Sequence, residues 1–248
     1  MNTVDLLIIL LLVLGIISGY RKGFIGSLVG IVGSLVGLFT AYHYYPVVTQ
    51  WLQQQFGLKE ILGGYFNEHL VLPQAVSQFR LESLGLSKIS ELGTLLDKVD
   101  MSEALHAQLL LYLEKFQATL ALPASMSLGD IIHQFLATII MNVAAFIVIW
   151  LFVAMLINLI AAALTRVATG TVFGGLNRFG GMALGLLLRV FTLTILIGLI
   201  SPLLNLAELT EPSLFSAVLG TISEAKTIPY FVDFYAVVSE KIVNLLLL

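Results

Sequence analysis

The feature that most constrains this chain is a set of apolar segments long enough to cross a lipid bilayer. A transmembrane helix needs about 20 residues, because it rises 1.5 Å per residue across a hydrocarbon core of about 30 Å. Four segments approach or reach this length: residues 4–18, 23–45, 131–164 and 180–202. The first is short unless residues 1–5 also enter the interface. The sequence therefore predicts an all-α, polytopic membrane protein with four transmembrane helices.

Composition agrees with a membrane setting. The chain has 248 residues, of which 58% are hydrophobic and 11% are charged, whereas soluble domains carry about a quarter charged residues. A net charge of −3 without a basic tract does not favour nucleic acid as a partner. The first apolar segment has no basic residue before it and no small-residue cleavage site after it, so we expect it to be retained rather than removed as a signal peptide.

The short loops between the apolar segments carry the charge that sets orientation. Arg21 and Lys22 lie between the first and second segments, and Arg166 and Arg178 between the third and fourth, with no Asp or Glu in either loop. Short loops rich in Arg and Lys stay on the cytoplasmic side. These four residues are predicted topology anchors of a membrane protein whose termini and long middle region are extracytoplasmic.

This topology divides the chain into four regions. They are a transmembrane hairpin (1–45), an extracytoplasmic amphipathic helical region (46–130), a second transmembrane hairpin (131–205) and C-terminal extracytoplasmic or interfacial helices (206–248). The second region carries apolar residues at helical spacing, as in Leu105, Leu109 and Leu113. It is typical of either a solvated small bundle or helices packed on the membrane surface. Residues 230–248 include three charges, which favours an interfacial helix over a fifth span.

Glycine recurs every third or fourth residue along the second span and predicts a closely packed helix face. At 100° per residue these glycines fall within a stripe about 80° wide. In a membrane, helices associate through close backbone approach along small residues, because lipid is as apolar as leucine. The stripe favours folding within one chain over an oligomer interface or a pore lining. The predicted packing glycines are Gly15, Gly19, Gly23, Gly26, Gly30, Gly33, Gly37, Gly181 and Gly185.

Motifs of catalysis are absent from the sequence. The four histidines are widely separated, without the HxxxH or HExxH spacing of a metal site. The sequence has no Walker A loop, no GxGxxG and no GxSxG elbow. We therefore expect no cofactor, no metal and no enzymatic activity.

Polar residues in or beside the spans are the candidate functional positions, since intramembrane polar groups often line aqueous paths. They are Asp5, Asn142, Asn158, Asn177 and Arg189. Arg189 lies eleven residues beyond Arg178, or about 16 Å along a continuous helix. Either Gly180 and Gly181 bend the chain and Arg189 snorkels to the inner interface, or Arg189 is buried and needs a partner. The partner would be Asp5, one of the two asparagines Asn142 and Asn158, or water in a cavity.

Two patches give a resemblance to a known family. The stretch VDLLIILLLVLGIISGYRKGFIGSLVGIVG and the stretch LNRFGGMALGLLLR resemble the colicin V production (CvpA) family of bacterial multi-pass inner-membrane proteins. The resemblance covers spans one, two and four, and the chain departs from compact members through residues 46–130 and the tail beyond Pro202. It implies a role in envelope homeostasis and, in some relatives, in colicin production.

Two functions from different classes follow. The first is a non-enzymatic scaffold or accessory protein of the envelope, embedded in the bilayer and acting alone, as a homo-oligomer or with an envelope protein partner. The second is a small oligomeric channel or transporter with a polar path near Arg189, Asn142 and Asn158. Whether Asn158 and Arg189 face each other inside one monomer bears on the choice between them.

Overall fold

The computed structural model describes residues 2–70, 72–77, 79, 99, 103–119, 127–165, 174–204 and 214–246. Every regular element within these residues is an α-helix. The helices are α1 (Thr3–Phe56), α2 (Leu58–His69), α3 (Gln74–Ser77), α4 (Glu103–Thr119), α5 (Leu128–Thr165), α6 (Gly174–Leu204), α7 (Leu214–Ser223) and α8 (Ile228–Leu246). The predicted all-α class is therefore confirmed for this part of the chain.

Three of the described helices are long and apolar enough to cross a membrane, namely Thr3–Phe56, Leu128–Ile160 and Gly175–Leu204. Helix α1 is not one continuous rod, because Gly23 has the non-helical backbone angles φ 73° and ψ 179°. It divides α1 into a first arm, residues 3–22, and a second arm, residues 24–56. The first arm is about 30 Å long at 1.5 Å per residue.

Two helix boundaries differ from the sequence-based expectation. The second arm continues through Pro46 to Phe56, beyond the predicted boundary at residue 45. Helix α5 begins at Leu128, because Ser127 and Asp130 form a capping box: the Asp130 amide donates to Ser127 Oγ at 3.1 Å, and the Ser127 amide donates to Asp130 Oδ2 at 3.0 Å. The predicted third span thus starts within a longer helix.

The chain forms two compact units. Unit 1 comprises residues 1–48, 143–200 and 224–248, and unit 2 comprises residues 49–142 and 201–223. Unit 1 contains most of α1, the C-terminal part of α5, most of α6 and helix α8. Its buried apolar cluster is formed by Ala41, Trp150 and Ile195. Helix α8 packs on α6, where the Tyr235 ring lies directly against Gly198.

Unit 2 has a core of large apolar side chains. Phe66 of α2 and Leu105 and Leu109 of α4 are each at most 1% exposed. The N-terminal part of α5 contributes Ile131 and further residues that are equally buried: Leu128, Ile132 and Leu136. The apolar stripe predicted around Leu109 is therefore the buried face of a helix.

Candidate functional site: a glycine hairpin and the cavity beside it

The chain reverses direction at Gly23, as the contacts of its two arms with α6 establish. In the first arm, Gly19 lies against Gly181, while Gly15 lies against Gly185 and Arg189, so this arm runs antiparallel to α6. In the second arm, Ser27 Oγ donates to the Gly181 carbonyl at 3.2 Å, and Gly30 lies against Leu188, so this arm runs parallel to α6. The two arms are therefore antiparallel to each other.

The backbone of Gly23 makes this tight reversal possible. The combination of φ 73° and ψ 179° belongs to a region that is essentially restricted to glycine. A methyl group on Gly23 would also lie 3.0 Å from Cγ of Asn177. Both the conformation and the space at this position thus require a residue without a side chain.

Asn177 completes the turn. Its Oδ1 accepts a hydrogen bond from the Phe24 amide at 2.9 Å, which satisfies a donor at the start of the second arm. The neighbouring Arg178 places its guanidinium 5.6 Å from the centre of the Tyr20 ring, a cation–π contact. The two patches that carry the family resemblance therefore meet at the hairpin turn.

The glycines of the first arm contact α6 without intervening side chains. A methyl group on Gly19 would lie 2.8 Å from the Gly181 carbonyl carbon and 2.9 Å from Gly185 Cα. A methyl group on Gly15 would lie 2.8 Å from Arg189 Cβ. Real Cβ atoms do not approach other atoms this closely, so the helices would have to separate to accommodate a larger residue.

Glycines of the second arm contact α5. A methyl group on Gly33 would lie 3.1 Å from Ile157 Cγ2, and one on Gly37 would lie 2.7 Å from the Trp150 carbonyl oxygen. Trp150 also donates its indole N–H to Ser34 at 3.1 Å. Gly26 differs, since a methyl group there would meet only the side chain of Lys22.

A cavity of about 170 Å³ lies between these four segments of unit 1, and we call it the central cavity. Residues from both arms of α1, from α5 and from α6 line it. Its polar and charged lining residues are Ser18, Lys22, Ser27, Ser34, Asn158, Arg189 and Thr192. Gly15, Gly19, Gly26, Gly30 and Gly185 form much of the remaining wall.

The central cavity is electropositive in its composition. Lys22 and Arg189 both line it, and no Asp or Glu occurs among its described lining residues. Within the part of the chain that the structure describes, the Arg189 guanidinium makes no hydrogen bond and no ion pair. Asn158 donates from Nδ2 to the Ala154 carbonyl at 2.7 Å, so the amide is oriented by its own helix.

The structure brings Arg189 and Asn158 to one cavity within one monomer, but not the other polar candidates. Asn142 lies on α5 in unit 2. Asp5 is fully buried in unit 1, where Oδ1 accepts hydrogen bonds from the Thr227 amide at 3.0 Å and the Thr227 hydroxyl at 2.8 Å. Asp5 therefore links the N-terminal arm to the turn before α8 and is not the partner of Arg189.

The bend considered at Gly180 and Gly181 is absent, and this expectation is wrong. Helix α6 continues through both residues, and the only glycines with positive φ in the described chain are Gly23 and Gly57. Gly180 instead packs against the Phe24 ring, and Gly181 packs against Gly19 and Gly23. The alternative in which a bend at Gly180 and Gly181 lets Arg189 reach the inner interface therefore has no structural basis.

The predicted topology anchors differ in their surroundings. Arg21, Lys22 and Arg178 are exposed at or beside the hairpin turn. Arg166 lies outside the described residues. Sequence reasoning missed the contribution of Lys22 to the cavity, because charge counting treats Arg21 and Lys22 alike.

Unit 2 contains a second polar cavity, of about 380 Å³, that sequence reasoning also missed. Lys59, Glu60, Asn67, Asp130 and His133 are among its lining residues. His133 is 6% exposed, and neither ring nitrogen has a hydrogen-bond partner among the residues that the structure describes. A group of three potential metal ligands does not occur among the described residues. A single histidine in an apolar helix does not indicate from the sequence that it lines a polar cavity.

Comparison with known families adds to this geometry. Residues 4–102 and 116–236 match the family model described as colicin V production protein. No curated protein and no solved structure shows a significant match to the chain. Because the family match covers most of the sequence, the chain belongs to the colicin V production protein family.

The family match is broader than the resemblance read from the two patches. It includes residues 46–102 and the tail to residue 236. The matched parts of these regions therefore belong to the family pattern, and the departure from compact members of the family stays a prediction.

Proposed function

We propose that this member of the colicin V production protein family is a four-span protein of the bacterial cytoplasmic membrane that supports envelope homeostasis or export without catalysing a reaction. The observation that carries the proposal is the hairpin at Gly23, together with the family match. Each arm of the hairpin packs against the same stretch of α6. Counted with α5 and α6, the two arms make four segments of membrane-spanning length.

The exposed surface of unit 1 supports a lipid environment. Large apolar side chains are exposed along the outer faces of its helices, with Ile25 63%, Phe39 75% and Val148 66% exposed. An apolar surface this extensive marks a membrane or protein contact. The positive charge of Arg21, Lys22 and Arg178 at the turn supports an orientation with both termini extracytoplasmic.

An envelope function is tested by deleting the gene and challenging the cells. We expect the deletion strain to lose viability in detergents, bile salts and osmotic shock, and plasmid-borne wild-type protein to restore it. The variant Gly19→Leu should fail to complement, because the side chain cannot enter the contact with α6, whereas Gly63→Ala should complement. Undiminished tolerance of the deletion strain would contradict the proposal.

A second candidate function, a channel or transporter, is favoured by the central cavity. Arg189 and Asn158 line it from two different helices of one monomer, which supports a polar path within the bundle. Purified protein in liposomes should then show solute or ion flux that Arg189→Leu abolishes. Tight liposomes with wild-type protein would leave the accessory function as the only candidate.

A further inference from the structure

We propose that the central cavity binds the phosphate group of an anionic lipid, held by Arg189 and Lys22. This inference rests on the membrane setting of the proposed function, but not on the envelope phenotype. It assigns a ligand class to a cavity whose described lining residues include two cations and no carboxylate.

The positive charge of Lys22 and Arg189 favours binding of an anion in the cavity. A cation among membrane-spanning helices is costly and is normally paired or solvated. Asp5, the one described carboxylate of the first arm, is bound to Thr227 instead. No Asp or Glu is among the described lining residues, so an anionic ligand would compensate the positive charge, whereas water would only solvate it.

The donors of the cavity suit phosphate. The planar guanidinium of an arginine binds phosphate oxygens in pairs, and the ammonium of a lysine binds them as a point charge. The Ser18 hydroxyl also lines the cavity and makes no hydrogen bond within the described chain. Arg189 lies at the level of Gly15, about 10 Å along the first arm from Lys22, so the two long cationic side chains approach the cavity from different levels.

The size of the cavity suits a headgroup rather than a whole solute. Its volume is about 170 Å³, whereas cavities for drug-sized ligands hold about 300–1,000 Å³. A small charged group fits this space while the rest of the molecule stays outside.

The apolar part of the lining favours a lipid over free phosphate. Leu151 and Met155 of α5 line the cavity and are 44% and 52% exposed, respectively. Lys22 lines the same cavity and is exposed at the turn. A lipid would contact Leu151 and Met155 with its acyl chains and the two cations with its phosphate, whereas inorganic phosphate would contact only the cations.

Native mass spectrometry of the detergent-purified full-length protein tests this inference. Phosphatidylglycerol and phosphatidylcholine with the same acyl chains are titrated separately, and inorganic phosphate is added as a competitor. We expect preferential binding of phosphatidylglycerol, and weakening by roughly tenfold in Arg189→Gln and by several-fold in Lys22→Gln, as for loss of a charge-assisted hydrogen bond. Arg189→Lys should retain part of the affinity.

The matched control is Arg21→Gln. Arg21 is adjacent to Lys22 and equally charged, but it does not line the cavity. Because both residues are exposed, neither variant is expected to unfold, and their comparison remains valid if Arg189→Gln does not fold. Specific binding predicts that Arg21→Gln changes the affinity by less than about twofold, as for a screened surface charge.

Three results would overturn the inference. They are equal weakening by Arg21→Gln and Lys22→Gln, unchanged lipid affinity in folded Arg189→Gln, and binding of inorganic phosphate without any preference for phosphatidylglycerol. The last result would assign the cavity to free phosphate. Since the assay uses purified protein, its failure is distinguishable from a failure of complementation in cells.

Discussion

The two units of this protein bury different kinds of residues. In unit 1, the buried positions of α1 are mostly glycine and serine: Gly15, Gly19, Gly23, Ser27, Gly30, Gly33, Ser34 and Gly37. In unit 2, the fully buried residues include Phe66, Leu105, Leu109, Ile131 and Leu136. Helix α1 of unit 1 thus buries mainly small residues and exposes large apolar ones, whereas the fully buried residues of unit 2 are large and apolar.

The difference in buried residues is the one expected if the two units are surrounded by different solvents. In water, burial of apolar area drives packing at about 25 cal/mol per Å², so large side chains belong inside. In lipid this driving force is lost, and close van der Waals contact between small residues remains. We therefore propose that unit 1 packs in lipid and that burial from water contributes to the packing of unit 2.

The largest expected effect on the free energy of unfolding comes from a core substitution in unit 2. Leu109→Ala should lower the free energy of unfolding by about 2–5 kcal/mol, because it leaves a cavity in a core where Leu109 is 0% exposed. Leu7→Ala in unit 1, where Leu7 is 52% exposed, should change it by less than about 0.5 kcal/mol. Unfolding of the detergent-purified variants measures both, and equal effects would remove the contrast.

The second largest expected effect on stability comes from substitution of a packing glycine in unit 1. Gly19→Ala should lower stability by about 1–3 kcal/mol, because the added methyl group would contact the backbone of α6 and force the helices apart. Gly63→Ala is the control, since nothing lies within 4 Å of a methyl group there. It should raise stability by up to about 1 kcal/mol through helix propensity alone. A stabilising Gly19→Ala would show that the small-residue contact does not hold the bundle.

A smaller effect is expected at the hairpin turn. Asn177→Ala removes the acceptor of the Phe24 amide and should cost about 1 kcal/mol. Asn177→Asp retains an acceptor and should cost less. Thermal unfolding midpoints of the two variants compare them, and identical losses would mean that the hydrogen bond does not stabilise the turn.

The smallest expected effect is on the pH dependence of stability, through a carboxyl group of unit 2. Glu60 accepts a hydrogen bond from the Gln53 side chain, which lowers the pKa of this carboxyl group. The resulting stability is present above the ordinary glutamate pKa of about 4.3 and is lost as pH falls through the lowered value. Gln53→Met should slightly reduce the acid-dependent loss of stability, as followed by thermal midpoints from neutral pH downward. An unchanged pH dependence would contradict this role.

Several features of unit 1 followed from residue spacing. The helical period aligned the glycines on one side of the second arm, and the cations at residues 21 and 22 predicted a turn. Other features required the three-dimensional structure. Pro46 does not end its helix, although a proline in a helix interior costs about 3 kcal/mol or more.

The site was predictable only in part. Arg189 was identified as an intramembrane cation, but its surroundings depend on which helices approach it. A bend at Gly180 and Gly181 was one of the two alternatives for Arg189, and glycine does weaken a helix by about 1 kcal/mol per residue. They instead permit close approach of the hairpin, which a single sequence does not distinguish from flexibility. The place of Lys22 in the cavity lining could not be predicted either, because the direction of its side chain depends on the turn at Gly23.

The central claim, that the chain reverses at Gly23 and crosses the bilayer with each arm, is tested most directly by cysteine labelling in intact cells. The chain contains no cysteine, so Thr3→Cys, Tyr20→Cys and Tyr44→Cys each introduce a single thiol at an exposed position of α1. The account predicts that an impermeant maleimide labels positions 3 and 44 from outside the cell, and labels position 20 only after permeabilisation. Labelling of positions 3 and 44 from opposite sides of the membrane would contradict it.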